Sequence, residues 1–213
     1  MKRMTCLFLA LVLLLSGCGA AEPAVTPGAE AFLEFTDDLG RTVSVAEKPE
    51  RVAALIGSFA DIWCLAGGKD ALVAAADDSW TSFDLGLSDA VANLGAVKEP
   101  SLETLLAAEP DLVLASCNTA ADLELEGALT AAGVCTAYFD VQSLDDYLNM
   151  LDICTRLTGC DENYETYGAA VREQADAAIA RQDGSAPTVV CMRATGVSVK
   201  IKGSEGFVLG EML

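Results

Sequence analysis

A few short stretches of this chain carry groups that could hold a ligand: Gly57-Ser58, the Trp80 to Phe83 loop, Lys98 and Asn118. Gly57-Ser58 follows an apolar run and opens a helical one. Its backbone amides either face an anionic or carbonyl group, or the pair is a plain strand-to-helix turn with Ser58 as N-cap. Trp80 and Phe83 are large aromatics in a polar loop; they either stack on a flat or greasy ligand or fold back onto the body. Asn118 offers a polar side chain to a ligand or closes a turn. Lys98 pairs with an anionic ligand or stays a solvated surface lysine. No catalytic set emerges. The chain contains no histidine, which removes the commonest general base and argues against a zinc site. A serine nucleophile would have no base. The acid pairs Asp37-Asp38, Asp77-Asp78 and Asp145-Asp146 fall in loops or at helix starts, where acids cap or solvate. A calcium loop of the Asp-x-Asp-x-Asp-Gly type and a phosphate loop are both absent. Binding without a cofactor, rather than catalysis, is the expectation.

Those stretches matter because of the elements between them. Phe32 to Val45 reads as an entry hairpin turning at Asp38-Leu39-Gly40-Arg41. Arg51 to Ile56 is an apolar strand, followed by a helix over Phe59–Ala66 and a strand over Leu72–Ala76. Asp77 to Asn93 reads as a long polar loop. Leu102, Leu105 and Leu106 mark a helix that Pro110 ends. Leu112–Ala115 is the next strand, Asp122–Ala132 a helix closed by Gly133, and Val134–Phe139 a strand. Ser143 caps a helix that stops at Thr158-Gly159. Alternation of this kind implies an α/β, Rossmann-like parallel sheet covered on both faces, with ligands outside the strands' carboxyl ends. Next, Tyr164, Tyr167, Val171, Ala175, Ala178 and Ile179 form one stripe, giving a long helix from Asp161 to about Gln182, about 31 Å in length. Asp183 to Pro187 breaks it, and Thr188–Met192 starts a fresh strand.

Ahead of the domain, Lys2 and Arg3 precede an apolar run from Leu7 to Leu15, then Leu15-Ser16-Gly17-Cys18. This is the layout of a secretory signal, and its end resembles the bacterial lipobox, which implies cleavage before Cys18 and acylation of its thiol. The apolar run falls short of the roughly 20 residues a membrane span needs. Residues 1–17 are thus expected to be a signal peptide and 18–31, rich in Ala, Pro, Gly and Glu, a flexible spacer. The mature chain would sit outside the cytoplasmic membrane, held by an amino-terminal lipid of several acyl chains. The net charge of −19 makes nucleic acid and anionic lipid poor partners. Apart from Cys6 and Cys18, the cysteines are Cys64, Cys117, Cys135, Cys154, Cys160 and Cys191; none forms a Cys-x-x-Cys pair, and buried free thiols are expected.

Phe35-Thr36-Asp37-Asp38-Leu39-Gly40-Arg41-Thr42-Val43 and Pro49-Glu50-Arg51-Val52-Ala53-Ala54-Leu55 resemble the opening of class III ABC-transporter substrate-binding lipoproteins. Asn93-Leu94-Gly95 with Ser101-Leu102-Glu103-Thr104-Leu105-Leu106-Ala107-Ala108-Glu109-Pro110-Asp111-Leu112-Val113 is similar to that family's most recognisable segment. These receptors serve importers of ferric siderophores, haem and cobalamin. The resemblance implies two α/β lobes joined by one rigid helix, with the chelate bound between them and a permease and ATPase as partners. It divides the chain into a lobe at 32–160, a linking helix at 161–183 and, at 187–213, the beginning of a second lobe that the chain leaves incomplete. Glu103 matches the glutamate that docks on an arginine pocket of the permease, where a carboxylate can meet a guanidinium bidentately. Glu103 would equally be an acid favoured by the dipole at the first turn of its helix. Arg193 and Lys200, at the start of the second lobe, would face an anionic chelate. The alternatives are a sensor or adhesin of the same fold, an enzyme on the same scaffold, and a free-metal receptor, whose His-rich shell this sequence lacks.

Overall fold

The computed structural model describes residues 31–181, 184, 188–194 and 196–202. The expected signal peptide and spacer up to residue 30, Cys18 included, lie outside the described residues, as do Gln182 and the end of the chain from 203.

The hairpin strands β1 (Leu33–Thr36) and β2 (Thr42–Val45) pair antiparallel, Phe35 opposite Val43. A five-stranded parallel sheet follows, built from β3 (Val52–Ala54), β4 (Leu72–Ala75), β5 (Ala92–Asn93), β6 (Leu112–Ser116) and β7 (Cys135–Phe139). Its order is β5-β4-β3-β6-β7. The chain starts at the middle strand, winds outward to β5, then crosses back to β6 beside β3. That reversal between β3 and β6 is a topological switch point, where loops leave in opposite directions and open a crevice.

Side-chain alternation sorts the sheet into two cores. Val52, Ala54, Leu112, Leu114, Ala137 and Phe139 face one way, under α1 (Gly57–Leu65) and α5 (Leu144–Thr158). Ala53, Leu55, Val113, Ala115 and Tyr138 face the other, under α3 (Leu102–Ala107) and α4 (Ala120–Ala131). Central strands apolar on both faces are what a doubly covered parallel sheet requires. Trp63 is fully buried in the first core, its indole N–H donating to the Gly68 carbonyl at 2.6 Å. The expected polar loop after β4 contains α2 (Asp78–Thr81) and β5, both too short to show a periodicity.

The termini of α5 follow the sequence signals. Ser143 Oγ accepts from the Asp146 amide (3.0 Å), Asp146 accepts from the Ser143 amide (2.9 Å), and Gly159 closes the helix at φ 71°.

Helical backbone resumes as α6 (Glu162–Tyr164), passes through a π-helical turn at Glu165–Ala169 and continues as α7 (Ala170–Ile179). The expected regular spacing over this stretch is therefore interrupted. Of the expected stripe, Tyr167, Val171 and Ile179 are exposed. The Tyr147 hydroxyl donates to the Tyr167 carbonyl at 2.8 Å inside this turn. Gly168 lets the Tyr164 ring lie close there; a Cβ would stand 3.0 Å from it, so the ring would have to shift slightly. Beyond it, β8 (Cys191–Ala194) and β9 (Val199–Lys202) form an antiparallel hairpin, a few residues later than the expected strand.

Candidate functional site

The carboxyl ends of β3, β4, β6 and β7 deliver the loops that carry most of the candidate residues. Helix α1 begins at Gly57, with Ile56 as its N-cap and no side-chain cap, so Ser58 lies inside the first turn and does not cap it. The Gly57 amide donates to Asp78 Oδ1 at 2.8 Å. The chain thus supplies its own anion to this amide, from the first residue of α2. Burial pushes the Asp78 carboxyl up, and the bond from Gly57 only partly offsets it. A Cβ on residue 57 would lie 2.7 Å from Phe83 and 2.9 Å from the Ser79 backbone nitrogen, so glycine is required by close approach. Phe83 therefore folds over Gly57 while remaining partly exposed, and Trp80 packs partly buried against the α1 side of the core. Ser58 is half-buried.

On the other side of the switch point, the β6–α4 loop runs from Ser116 to Thr119. Asn118 is exposed; its amide N–H donates to Ser116 Oγ (3.1 Å) and its side chain donates to Asp140. Gln142 also donates to Asp140 (2.7 Å), whose own amide donates to Asp38 (2.6 Å). Asn118 thus belongs to a polar ring spanning the ends of β6 and β7, so the turn role is realised on an exposed surface. Burial and the nearby carboxylates of Asp140, Asp146 and Asp37 push the Asp38 carboxyl up, despite the Asp140 amide. Lys98 is exposed in the loop after β5 and forms no ion pair with a described residue. Glu103 stands exposed in the first turn of α3, beside the N-cap Ser101, whose Oγ accepts from the Thr104 amide at 3.2 Å. Arg193 lies in β8 opposite Lys200 in β9, away in sequence from the rim loops; its side chain lies outside the described ones.

Two residues that the sequence reading set aside as capping or solvated acids, or as a helix start, prove to be buried. Asp37 accepts from the Leu39 and Arg41 amides, from Arg41 Nε and a terminal guanidinium nitrogen (3.0 and 2.6 Å), and from the Tyr138 amide. Arg41 also meets Glu126 at 2.9 Å and lies 4.7 Å above the Tyr138 ring. The hairpin motif around Asp37 to Arg41 is therefore a clasp that fixes the hairpin to β7 and α4. The sequence signal was an Asp and an Arg four apart across a turn. Asp122 is the second case. Helix α4 starts two residues earlier than expected, with Thr119 as N-cap. Asp122 is fully buried, and its Oδ2 accepts from the Ser116 amide at 2.8 Å.

The described cavities lie elsewhere. One of about 770 Å³ opens at the amino ends of β3, β6 and β7, beside Lys48, Glu50, Asp111 and Gly133. Another of about 530 Å³ lies near Arg51, Asp70 and Val91. The six described cysteines are free, and only Cys154 is buried, its thiol pushed up by burial; the other five are half-buried rather than enclosed. No group of metal-ligating side chains occurs among the described residues.

A parallel sheet in this order, covered by helices on both faces and with a polar rim at its switch point, defines a doubly wound α/β lobe. The chain belongs to the periplasmic binding protein family, whose model matches residues 52–211. A search of curated proteins finds no match. Among solved structures, it is similar to the siderophore-binding protein BauB, bound to a complex between two molecules of acinetobactin and ferric iron. That likeness has a TM-score of 0.69 at 15% identity, over 82% of this chain and 62% of that one. It is also similar to the iron-uptake ABC transporter substrate-binding protein PiuA from Streptococcus pneumoniae (0.62, 21%, over 78% and 58%). A third is the periplasmic haem-binding protein HutB of Vibrio cholerae (0.60, 19%, over 73% and 59%). At these identities the likeness establishes the fold. The chain spans less than two thirds of the length of each.

Proposed function

We propose that this protein is the solute receptor of an ABC importer, which captures a ferric siderophore or a related chelate such as haem or cobalamin and passes it unaltered to a permease. The observation that carries this reading is the open polar rim at the switch point of a periplasmic-binding-protein lobe. Relatives of this fold that bind a siderophore–iron complex and haem support the ligand class. In this reading Cys18 carries the lipid that holds the receptor outside the membrane, and the helical stretch from Glu162 to Ile179 is the strut leading toward a second lobe. Ser58, Trp80 and Asn118 line the ligand face. Lys98 and Arg193 supply positive charge for an anionic chelate in a chain that is otherwise strongly acidic. Gly57 serves the site by admitting Phe83 and Asp78, not by offering its amide. Glu103 docks on the permease through its exposed carboxylate.

Tryptophan fluorescence tests the binding reading. The chain has two tryptophans; Trp63 is sealed in the core and Trp80 reports from the rim loop. A ferric tris-catecholate, a ferric hydroxamate, haemin and cyanocobalamin are titrated in turn. Saturable quenching by one of them, lost in Trp80→Phe, is the expected result. No saturable response and no calorimetric heat with any of the four would end the proposal. Docking is tested separately: Glu103→Ala should bind the chelate normally but abolish uptake, and normal uptake would remove Glu103 from that role.

A further inference from the structure

We propose that Asp122 is a proton-sensitive positioning residue for the β6–α4 loop, so that the rim bearing Asn118 is held closed when Asp122 is protonated and loosens when it ionises. The inference rests on the reading of this rim as the ligand face. Asp122 is fully buried, and it reaches back from the first turn of α4 to the last residue of β6. One carboxylate oxygen accepts from the Ser116 amide; the other, Oδ1, has no hydrogen-bond partner among the described residues. A buried carboxylate with a single donor is costly, and the cost falls when it takes up a proton or when the structure opens to admit water.

The surroundings do not relieve that cost. From β7, the Tyr138 hydroxyl donates to the main-chain carbonyl of Asp122 (2.9 Å), not to its carboxylate. One turn along α4, Glu126 is itself acidic, and the hairpin cation Arg41 is paired with Asp37 and Glu126. From the loop, the Cys117 thiol is pushed up to about 11 by burial and by the aspartates around it, so it stays neutral. Burial pushes the Asp122 carboxyl up to about 7, against the single bond from Ser116. Opening the loop would return it toward its ordinary value of 3.8. A proton is therefore released on opening, and opening becomes easier as pH rises between those limits. The moving part is well defined. The Cys117 amide stays anchored on the Phe139 carbonyl (2.9 Å), so what loosens when Asp122 lets go of Ser116 is the turn beyond it, where the Asn118 amide is tied to Ser116 Oγ (3.1 Å).

The test needs no ligand. Amide hydrogen exchange of residues 116–122 is measured on the full chain from pH 5 to 8, each rate divided by its intrinsic value. The opening equilibrium should rise by up to about tenfold per pH unit to near pH 7 and then level off. In Asp122→Asn the profile should be flat. The Asp122 carboxyl carbon is followed by NMR in the wild type, which keeps the proposal testable even where the variant does not fold. Titration of that carbon below pH 5, or parallel exchange profiles in wild type and variant, would overturn it. A failed chelate titration would instead count against the ligand-face reading and leave this measurement standing.

Discussion

The hairpin clasp and the β6–α4 junction each bury an aspartate, and they treat it in opposite ways. Asp37 receives five hydrogen bonds and a guanidinium. Burial raises its pKa, but the bonds from the Arg41 side chain and amide, the Tyr138 amide and the Arg41 charge outweigh it, and the carboxyl is held below its ordinary value. Asp122 receives one bond and no cation, and its carboxyl rises to about 7. Asp78 lies between, half-buried and bound by Gly57, and it too is raised. Desolvation and donor count together decide which carboxylate is a structural anion and which is a proton store: Asp122 is both deeper and poorer in donors than Asp37. Tyr138 touches both regions, its amide on Asp37 and its hydroxyl on the Asp122 carbonyl.

Breaking the clasp should have the largest effect. Arg41→Ala leaves Asp37 buried without its cation and frees Glu126. We expect a loss of about 2–4 kcal/mol in urea unfolding at pH 7, below the figure for a fully buried pair because Arg41 is 32% exposed. The pH signs of the two aspartates oppose each other. The folded pKa of Asp37 is depressed, so its contribution is present above pH 3.8 and fades as pH falls through the lower folded value. A smaller loss for Arg41→Ala at pH 3 than at pH 7 would confirm the sign.

The intermediate case comes next. Gly57→Ala forces a methyl into Phe83, Asp78 and the Ser79 backbone, and should cost about 1–3 kcal/mol. It also displaces Asp78 from its amide, so chelate binding should weaken together with stability. An unchanged melting temperature would show that the rim loop yields freely.

Asp122→Asn should act in the other direction. The folded pKa of Asp122 is raised, so its contribution to stability is fully present below about pH 4 and is lost as pH climbs through about 7. The neutral amide removes that loss. It should gain about 1–2 kcal/mol at pH 8 and little at pH 4, the gain being limited because the new N–H₂ group inherits the site without a partner. Melting curves at the two pH values decide it.

These differences explain what could be read in the chain and what could not. The sheet and its helices were legible because they depend on local runs: apolar strands such as Val52–Leu55 and Leu112–Ala115, the Ser143 cap and the Gly159 stop. Helix α2, strand β5 and the π turn were not, since four residues, two residues and one wide turn leave no periodic trace. Asp37 and Asp122 looked like ordinary loop and helix-start acids. The state of Asp37 is set chiefly by Arg41 four residues on, with the Tyr138 amide of β7 a smaller contribution, and that of Asp122 by its burial against the end of β6. The occupation of the Gly57 amide by Asp78 is non-local.

The ring of Asn118, Asp140 and Gln142, exposed at Asn118 and half-buried at the other two, completes the series as the region where stability is least at stake. The Asn118 side chain meets water, so its bond to Asp140 replaces hydration rather than rescues buried charge. Asn118→Ala removes a donor to Asp140 but leaves Cys117 and Ser116 anchored through their backbone. We expect unfolding to change by less than about 0.5 kcal/mol. If Asn118 faces the chelate, affinity should fall by about tenfold, the worth of one hydrogen bond to a charged ligand. A loss of binding with stability intact would mark the ring as recognition surface. A loss of stability comparable to that of Arg41→Ala would mean that the rim, like the clasp, is held together by its polar groups, and the contrast between the two regions would fail.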